Sequence, residues 1–349
     1  MSEQDLSSGY DPAHEFFLGE KPDNPLMRDS ASMWISDDKG RFGFPRLTIE
    51  AVSSEWDNRG VEANIAFPDG RVLIGSGGYA PAPVKFVDGN AVTLNAGPLT
   101  FEVREPLKRW ALVFDGQTYE TTVQQQAQGV TTGTPRDVRI EVEATMVVPA
   151  WSPGEQARDA ATVQAVGAVG GHRHEQLFRC TGSFHIAGEA PLKFTGSGLF
   201  VRRSGARDIG EFPGHCWQSA VFPSGKAFGL MGFPPRKDGT PSFGEAYIYD
   251  GKQKHYAKVF EAPWMNQFVP HDGPVDIVLE VAGQPVRISG RTHDSTCIRE
   301  NNPMFGNWTQ AGQPVLVGLP FHQGGVRYEW DGEVTYGMIE RSLPGAKMV

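Results

Sequence analysis

The chemistry-bearing residues of this chain gather at His215-Cys216-Trp217 and at the closing Glu340-Arg341. On a strand, His215 and Trp217 share one face while Cys216 and Gln218 share the other. Burying an imidazole without a partner costs on the order of 1–3 kcal/mol, so an inward His215 calls for one. Asp208, Glu211, Glu245 and Glu340 are the candidate carboxylates. A carboxylic acid desolvated in an aromatic cavity keeps its proton and can donate it. Such an acid protonates an alkene or an allylic alcohol. Aromatic faces then stabilise the cation, and Trp217, Tyr249, Trp264 and Trp330 could supply them. On the last strand Tyr336, Met338 and Glu340 share one face, and Gly337, Ile339 and Arg341 the other. The same residues also fit a plainer role. His215 and Trp217 could be a satisfied core pair, and Glu340-Arg341 part of a surface ion-pair network.

Other chemistries find less support. Cys216 could serve as a thiol nucleophile, but its alternation away from His215 favours packing. His172 and His174 could be two metal ligands, yet no third ligand, His-Glu-x-x-His or Cys-x-x-Cys accompanies them. There is no Gly-x-Gly-x-x-Gly and no Walker loop. Gly75-Ser76-Gly77-Gly78 reads as a turn, and no Gly-x-Ser-x-Gly elbow occurs. The expectation is therefore no cofactor and no metal.

The elements that must position these residues read as strands. With 42 Gly and 26 Pro among 349 residues, helices are disfavoured and tight turns favoured. Pro68-Asp69-Gly70, Asp88-Gly89-Asn90, Asp115-Gly116 and Asp331-Gly332 each punctuate a hairpin. Residues 138–144 alternate Val138, Ile140, Val142, Ala144. Only Ala150–Gly171 suggests a helix or linker. The length suits two domains of roughly 170 residues. They are expected at 1–190 and 191–349.

The two halves echo one another. Trp34-x-Ser36 answers Trp217-x-Ser219, and Glu62-Ala63-x-Ile65 answers Glu245-Ala246-x-Ile248, both at an offset of 183. Gly40-Arg41 and Phe42-Gly43 answer Gly225-Lys226 and Phe228-Gly229, and Val138-Arg139-x-Glu141 answers Val326-Arg327-x-Glu329 at an offset of 188. Matches in one order, with slowly drifting offsets, point to an internal duplication. Trp34 and Trp217 should then occupy equivalent positions.

Net charge is −9 and no long Lys/Arg run appears, so nucleic acid is a poor partner. No apolar run reaches the roughly 18 residues of a membrane span. Cys180, Cys216 and Cys297 are widely spaced and fit free thiols in a reducing compartment. With no basic n-region and apolar h-region at the start, the expected location is the cytoplasm.

Trp34-x-Ser36-Asp37-Asp38-x-Gly40-x-x-Gly43, Gly214-His215-x-Trp217 and Tyr336-Gly337-Met338-Ile339-Glu340-Arg341 together carry a family likeness. In this order they resemble the carotenoid hydratase (hydroxyneurosporene synthase-like) and tocopherol-cyclase-like superfamily, over about residues 30–342. Gln218 stands where the hydratases have the Gly after Trp. The resemblance implies an all-β fold of two tandem lipocalin-like antiparallel β-barrels. It also implies hydratase, isomerase or cyclase chemistry without a cofactor on an isoprenoid or polycyclic molecule. His215 with Asp208, Glu245 or Glu340 would move protons, and Trp217, Tyr249, Trp264, Trp330 and Tyr336 would bind substrate. The competing expectations are a non-catalytic carrier of hydrophobic ligands and a structural or stress protein with a vestigial cavity. A homo-oligomer is compatible with each.

Overall fold

The computed structural model describes residues 5–156, 171–206, 212–240, 242–299, 309–310, 313–314 and 319–348. The chain is built from antiparallel strands, as its turn spacing predicts. The first half begins with β1 (Met27–Asp37), β2 (Gly43–Val52), β3 (Arg59–Ala66) and β4 (Arg71–Tyr79). A small hairpin, β5 (Phe86–Val87) with β6 (Asn90–Ala91), follows. Then come β7 (Thr93–Ala96), β8 (Leu99–Glu105), β9 (Arg109–Thr122), β10 (Thr134–Met146), β11 (His172–Ile186) and β12 (Leu192–Ala206). These pair in the order β10-β11-β12-β1-β2-β3-β4-β9-β8-β7, and β9 also pairs with β10. That last pairing joins the sheet to itself, so β1-β2-β3-β4-β9-β10-β11-β12 forms a ring.

The second half is a closed barrel. Its strands are β13 (His215–Val221), β14 (Ala227–Gly232), β15 (Gly244–Tyr249), β16 (Lys254–Glu261), β17 (Ile277–Val281) and β18 (Gln284–Ile298). The short pair β19 (Thr309–Gln310) and β20 (Gln313–Pro314) precedes β21 (Phe321–Trp330) and β22 (Glu333–Ser342), which close the barrel against β13. Both rings are lipocalin-like meanders closed by pairing the first strand with the last. The expected 190/191 boundary precedes β12, which pairs within the first ring. β12 sits between β1 and β11 and completes the first ring.

Period-two alternation builds the apolar layers. Inward residues of the first ring, such as Leu47, Ile49, Ala51, Val61, Ala63 and Ile65, form one core. Inward residues of the barrel, such as Cys216, Leu230, Ile277 and Tyr328, form another. Between the rings lies a third cluster with Trp34, Leu177, Leu199 and Val201 from one side and Trp217, Met231, Tyr247 and Met338 from the other. Trp34 and Trp217 meet there edge to face, ring centroids 4.8 Å apart. Such aromatic pairs contribute roughly 0.5–1.5 kcal/mol beyond the area they bury.

Trp34 and Trp217 both lie on the first strand of their ring, and Glu62 and Glu245 on the third. The fourth echo behaves differently. Val138 is on β10, sixth in its ring, whereas Val326 is on β21, seventh in the other. The Val-Arg-x-Glu pattern alternates a buried Val with exposed Arg and Glu and does not mark equivalent strands. Of the expected helix or linker at 150–171, residues 157–170 lie outside the described residues; Trp151 pairs with Glu175 as an isolated bridge.

Candidate functional site

The outward side chains of the first ring decide what the barrel meets. On β2 the inward Leu47, Ile49 and Ala51 leave Arg46, Thr48 and Glu50 facing out; on β3, Glu62 and Asn64 face out. A polar face of this kind normally points to water. Here the barrel covers it: Arg46 is 4% exposed, and Glu62 and Asn64 are 1% exposed.

The covering strands bring His215 to this face. In the β13–β22 register His215 is opposite Ser342, and Trp217 opposite Glu340. His215 Nε2 lies 3.1 Å from Glu340 Oε1, and His215 Nδ1 lies 2.7 Å from Ser342 Oγ. The other Glu340 oxygen accepts a hydrogen bond from Gln323 Nε2 at 2.8 Å. Gln323 Oε1 in turn accepts from Asn64 Nδ2 at 3.0 Å, across the gap between the rings. Asn64 Nδ2 also donates to Glu62 Oε1 at 2.5 Å. Two carboxyls and an imidazole are thus held in one buried network by two amides. The amides fix the spacing of the carboxyls.

The two carboxyls have opposite electrostatics. Burial pushes Glu340 up, but the His215 hydrogen bond, the Arg46 and His215 charges and the Gln323 amide outweigh it, bringing it down to about 2. Burial pushes Glu62 up as well, and there it wins. The Arg46 charge opposes it only in part, while Glu340 and Glu50 add repulsion, so Glu62 reaches about 8. Arg46 approaches Glu62 at 3.5 Å and Glu50 at 3.5 Å. At neutral pH one carboxyl holds a proton and the other has lost it. Environments that push two carboxyls apart in this way mark an acid and a base.

Trp217 stands directly across from Glu340. Its Nε1 donates to Glu175 Oε2 at 3.0 Å, and the Arg173 guanidinium lies 4.7 Å over its ring. Burial raises the Glu175 carboxyl against the pull of Arg173. Cys216 points into the barrel core, where burial pushes its thiol up to about 11, far from thiolate reactivity.

Of the residues singled out in the sequence, the structure groups His215, Glu340 and Trp217. Glu245 shares their face but not their site. The cross-strand row Glu340–Trp217–Met231–Glu245 spans three strand spacings, about 14 Å. Glu245 Oε2 accepts the Gly154 N–H at 2.7 Å instead. Tyr249 is buried in the layer between the rings, paired with Ala227 and Lys254. Trp330 packs on Phe222 with Lys226 over its ring, at the turn end of its strand. Trp264 rests against Gly232 beside the barrel core, and Tyr336 packs on His293. Asp208 and Glu211 lie outside the described residues.

The histidine pair divides. His174 Nε2 meets buried Glu15 at 2.5 Å, while His172 stacks on His14 with centroids 4.1 Å apart. Among the described residues no three His, Cys, Asp or Glu groups converge as a metal site. Ser295 and His322 approach to 2.9 Å, but Arg341 Nε donates to His322 Nδ1 at 3.1 Å. His322 Nε2 therefore carries the proton and cannot act as a base toward Ser295.

Arg46, Glu62, Asn64 and Gln323 escaped the sequence reading. The one signal was the echo of Glu62 with Glu245, which marked Glu62 as a position worth weighing.

The model of a domain of unknown function, DUF7064, matches residues 12–344. The chain belongs to this family. No curated protein matches the sequence. Among solved structures, a candidate AttH from Nitrosomonas europaea superposes with a TM-score of 0.53 at 14% identity, covering 94% of this chain and 98% of its own. CghA superposes with a TM-score of 0.54 at 12% identity, covering 92% of this chain and 89% of its own, and has also been crystallised with Sch210972. Kievitone hydratase from Nectria haematococca superposes with a TM-score of 0.46 at 11% identity, covering 98% of this chain and 96% of its own. The DUF7064 chain thus shares its two-ring architecture with proteins far from it in sequence.

Proposed function

We propose that this protein is an acid–base lyase, isomerase or cyclase working on a hydrophobic small molecule, of the isoprenoid or polycyclic kind that the family resemblance implies. The observation that carries the reading is the pairing of a protonated Glu62 with an ionised Glu340 in one buried network. Glu62 would donate the proton to an alkene or leaving hydroxyl. Glu340 and His215 would remove one from carbon or water. Trp217 and Trp34 would present aromatic faces to a developing cation. CghA, of similar architecture, has been crystallised with the small molecule Sch210972, which supports a small-molecule role for this architecture. The matched ring positions of Trp34 with Trp217 and of Glu62 with Glu245 support an origin by duplication, each ring being one unit.

Proton transfer to carbon leaves an isotopic record. The wild type is incubated in D2O with farnesol, geraniol and related allylic alcohols, and deuterium in recovered carbon positions is read by mass spectrometry. Incorporation above the protein-free rate is expected. His215→Ala and Glu62→Gln should each lower it by roughly 10²–10⁴-fold, the usual contribution of a general acid or base. Incorporation at the protein-free rate for every compound, with binding retained, would leave the protein a carrier.

A further inference from the structure

Guanidinium groups crowd the buried outer face of the first ring: Arg28, Arg46, Arg173 and Arg203 are each 6% exposed or less. Arg203 on β12 is 6% exposed. Among the described residues its ion-pair partner is Glu50 Oε1 at 3.7 Å, beyond hydrogen-bond reach. Its Nε is buried and has no hydrogen-bond partner. In register directly across from it stands Arg173, a like charge on the same face. Like charges placed opposite one another destabilise a sheet. Arg173 is itself committed to Glu175 and to the Trp217 ring. Glu50 is shared with Arg28 at 3.9 Å and Arg46 at 3.5 Å. Glu50 is thus approached by three guanidiniums, and the Arg203 contact to it, at 3.7 Å, is outside hydrogen-bond distance.

We propose that Arg203, with Arg173 beside it, binds a carboxylate carried by the substrate, so that the protein acts on hydrophobic organic acids. A planar guanidinium fork matches a carboxylate with two parallel hydrogen bonds. Val201 and Leu199 follow Arg203 along the same face of β12 into the apolar layer that holds Trp34 and Trp217. They would give an apolar chain a track from the charged head toward the Trp217–Glu340 pair. The electrostatics agree. Burial and the neighbouring Arg173, Arg28 and Arg46 lower Arg203 to about 9, against the pull of Glu50; Glu175 also attracts it. Guanidinium groups keep their proton in proteins, so Arg203 stays a buried cation beside Arg173.

The inference rests on the proton-transfer reading for its place in turnover, and its test is separate. Octanoate, octanol and inorganic phosphate are titrated against the full chain by calorimetry, with thermal melts alongside. Octanoate should bind at least tenfold more tightly than octanol and raise the melting temperature. Arg203→Met should weaken octanoate at least tenfold, leave octanol unchanged and keep or raise the ligand-free melting temperature. Replacing an uncompensated buried charge with an apolar side chain is often neutral or stabilising. His215→Ala should still bind octanoate. Equal binding of octanoate and octanol, or an unchanged octanoate affinity in Arg203→Met, overturns the inference. Phosphate binding as well as octanoate overturns the carboxylate assignment in favour of a general anion site. Octanoate binding that needs Arg203, in a protein that transfers no deuterium, sinks the proton-transfer reading and spares this one.

Discussion

Glu62 and Glu340 are one side-chain type in two opposed settings, and pH separates them. Glu62 is raised to about 8, so the folded state holds a proton that the unfolded chain loses near its ordinary 4.5. Its contribution to stability is complete below 4.5 and is lost as pH rises to about 8. Asp294, raised to about 7 by burial, acts in the same direction. Glu340 is lowered to about 2, so its contribution is complete above 4.5 and is lost as pH falls toward 2. Urea midpoints measured across pH should therefore fall from pH 5 to pH 8. Glu62→Gln should flatten part of that fall, and a slope identical to wild type would show that Glu62 ionises freely. Glu340→Ala leaves His215 and Gln323 without their carboxylate. Removing one partner of a buried pair costs roughly 3–5 kcal/mol, which the same urea titration at pH 7 would read.

At the scale of elements, β2 and β18 meet where the two rings touch. Gly43 opens β2, and a Cβ there would run into the Asp294 carboxylate of β18. Asp294 is opposite Gly325 on β21, which leaves room for the same carboxylate. The strands approach this closely because those positions have no side chain. Gly43→Ala should cost about 1–3 kcal/mol by overpacking. Adding Asp294→Ala in the same chain should recover most of it, since the obstruction is that one carboxylate. Chemical denaturation of the two single variants and the double variant checks this. A double variant no better than Gly43→Ala would place the strain in the backbone.

At the scale of the molecule, neither ring satisfies its outer face alone. The first would expose Arg46, Glu62 and Trp34, and the barrel would expose His215, Trp217 and Met338. The shared layer couples them, so unfolding should be a single transition. Trp217→Ala removes the Trp34 contact and the hydrogen bond to Glu175 together. A loss of roughly 3–5 kcal/mol is expected for a buried Trp truncated to Ala. Hydrogen exchange should speed up in β1 and β13 alike. Faster exchange confined to β13 would mean that the rings unfold independently.

The sequence by itself determined the strands. Gly-rich turns at short intervals and period-two alternation are local signals, and they were enough for an all-β chain. Alternation also placed His215 and Trp217 on one face and Cys216 on the other, because the pleat allows nothing else. It could not say what that face meets. Arg46, Glu62 and Asn64 alternate with core residues just as solvent-facing residues do, and only the docking of the barrel on the first ring buries them. The choice of Glu340 over Glu245 as the His215 partner was likewise tertiary. It depends on β22 closing the barrel beside β13, a pairing of residues 125 positions apart. Buried protonation states follow from desolvation and from charges across the gap, and these exist only once both rings are in place.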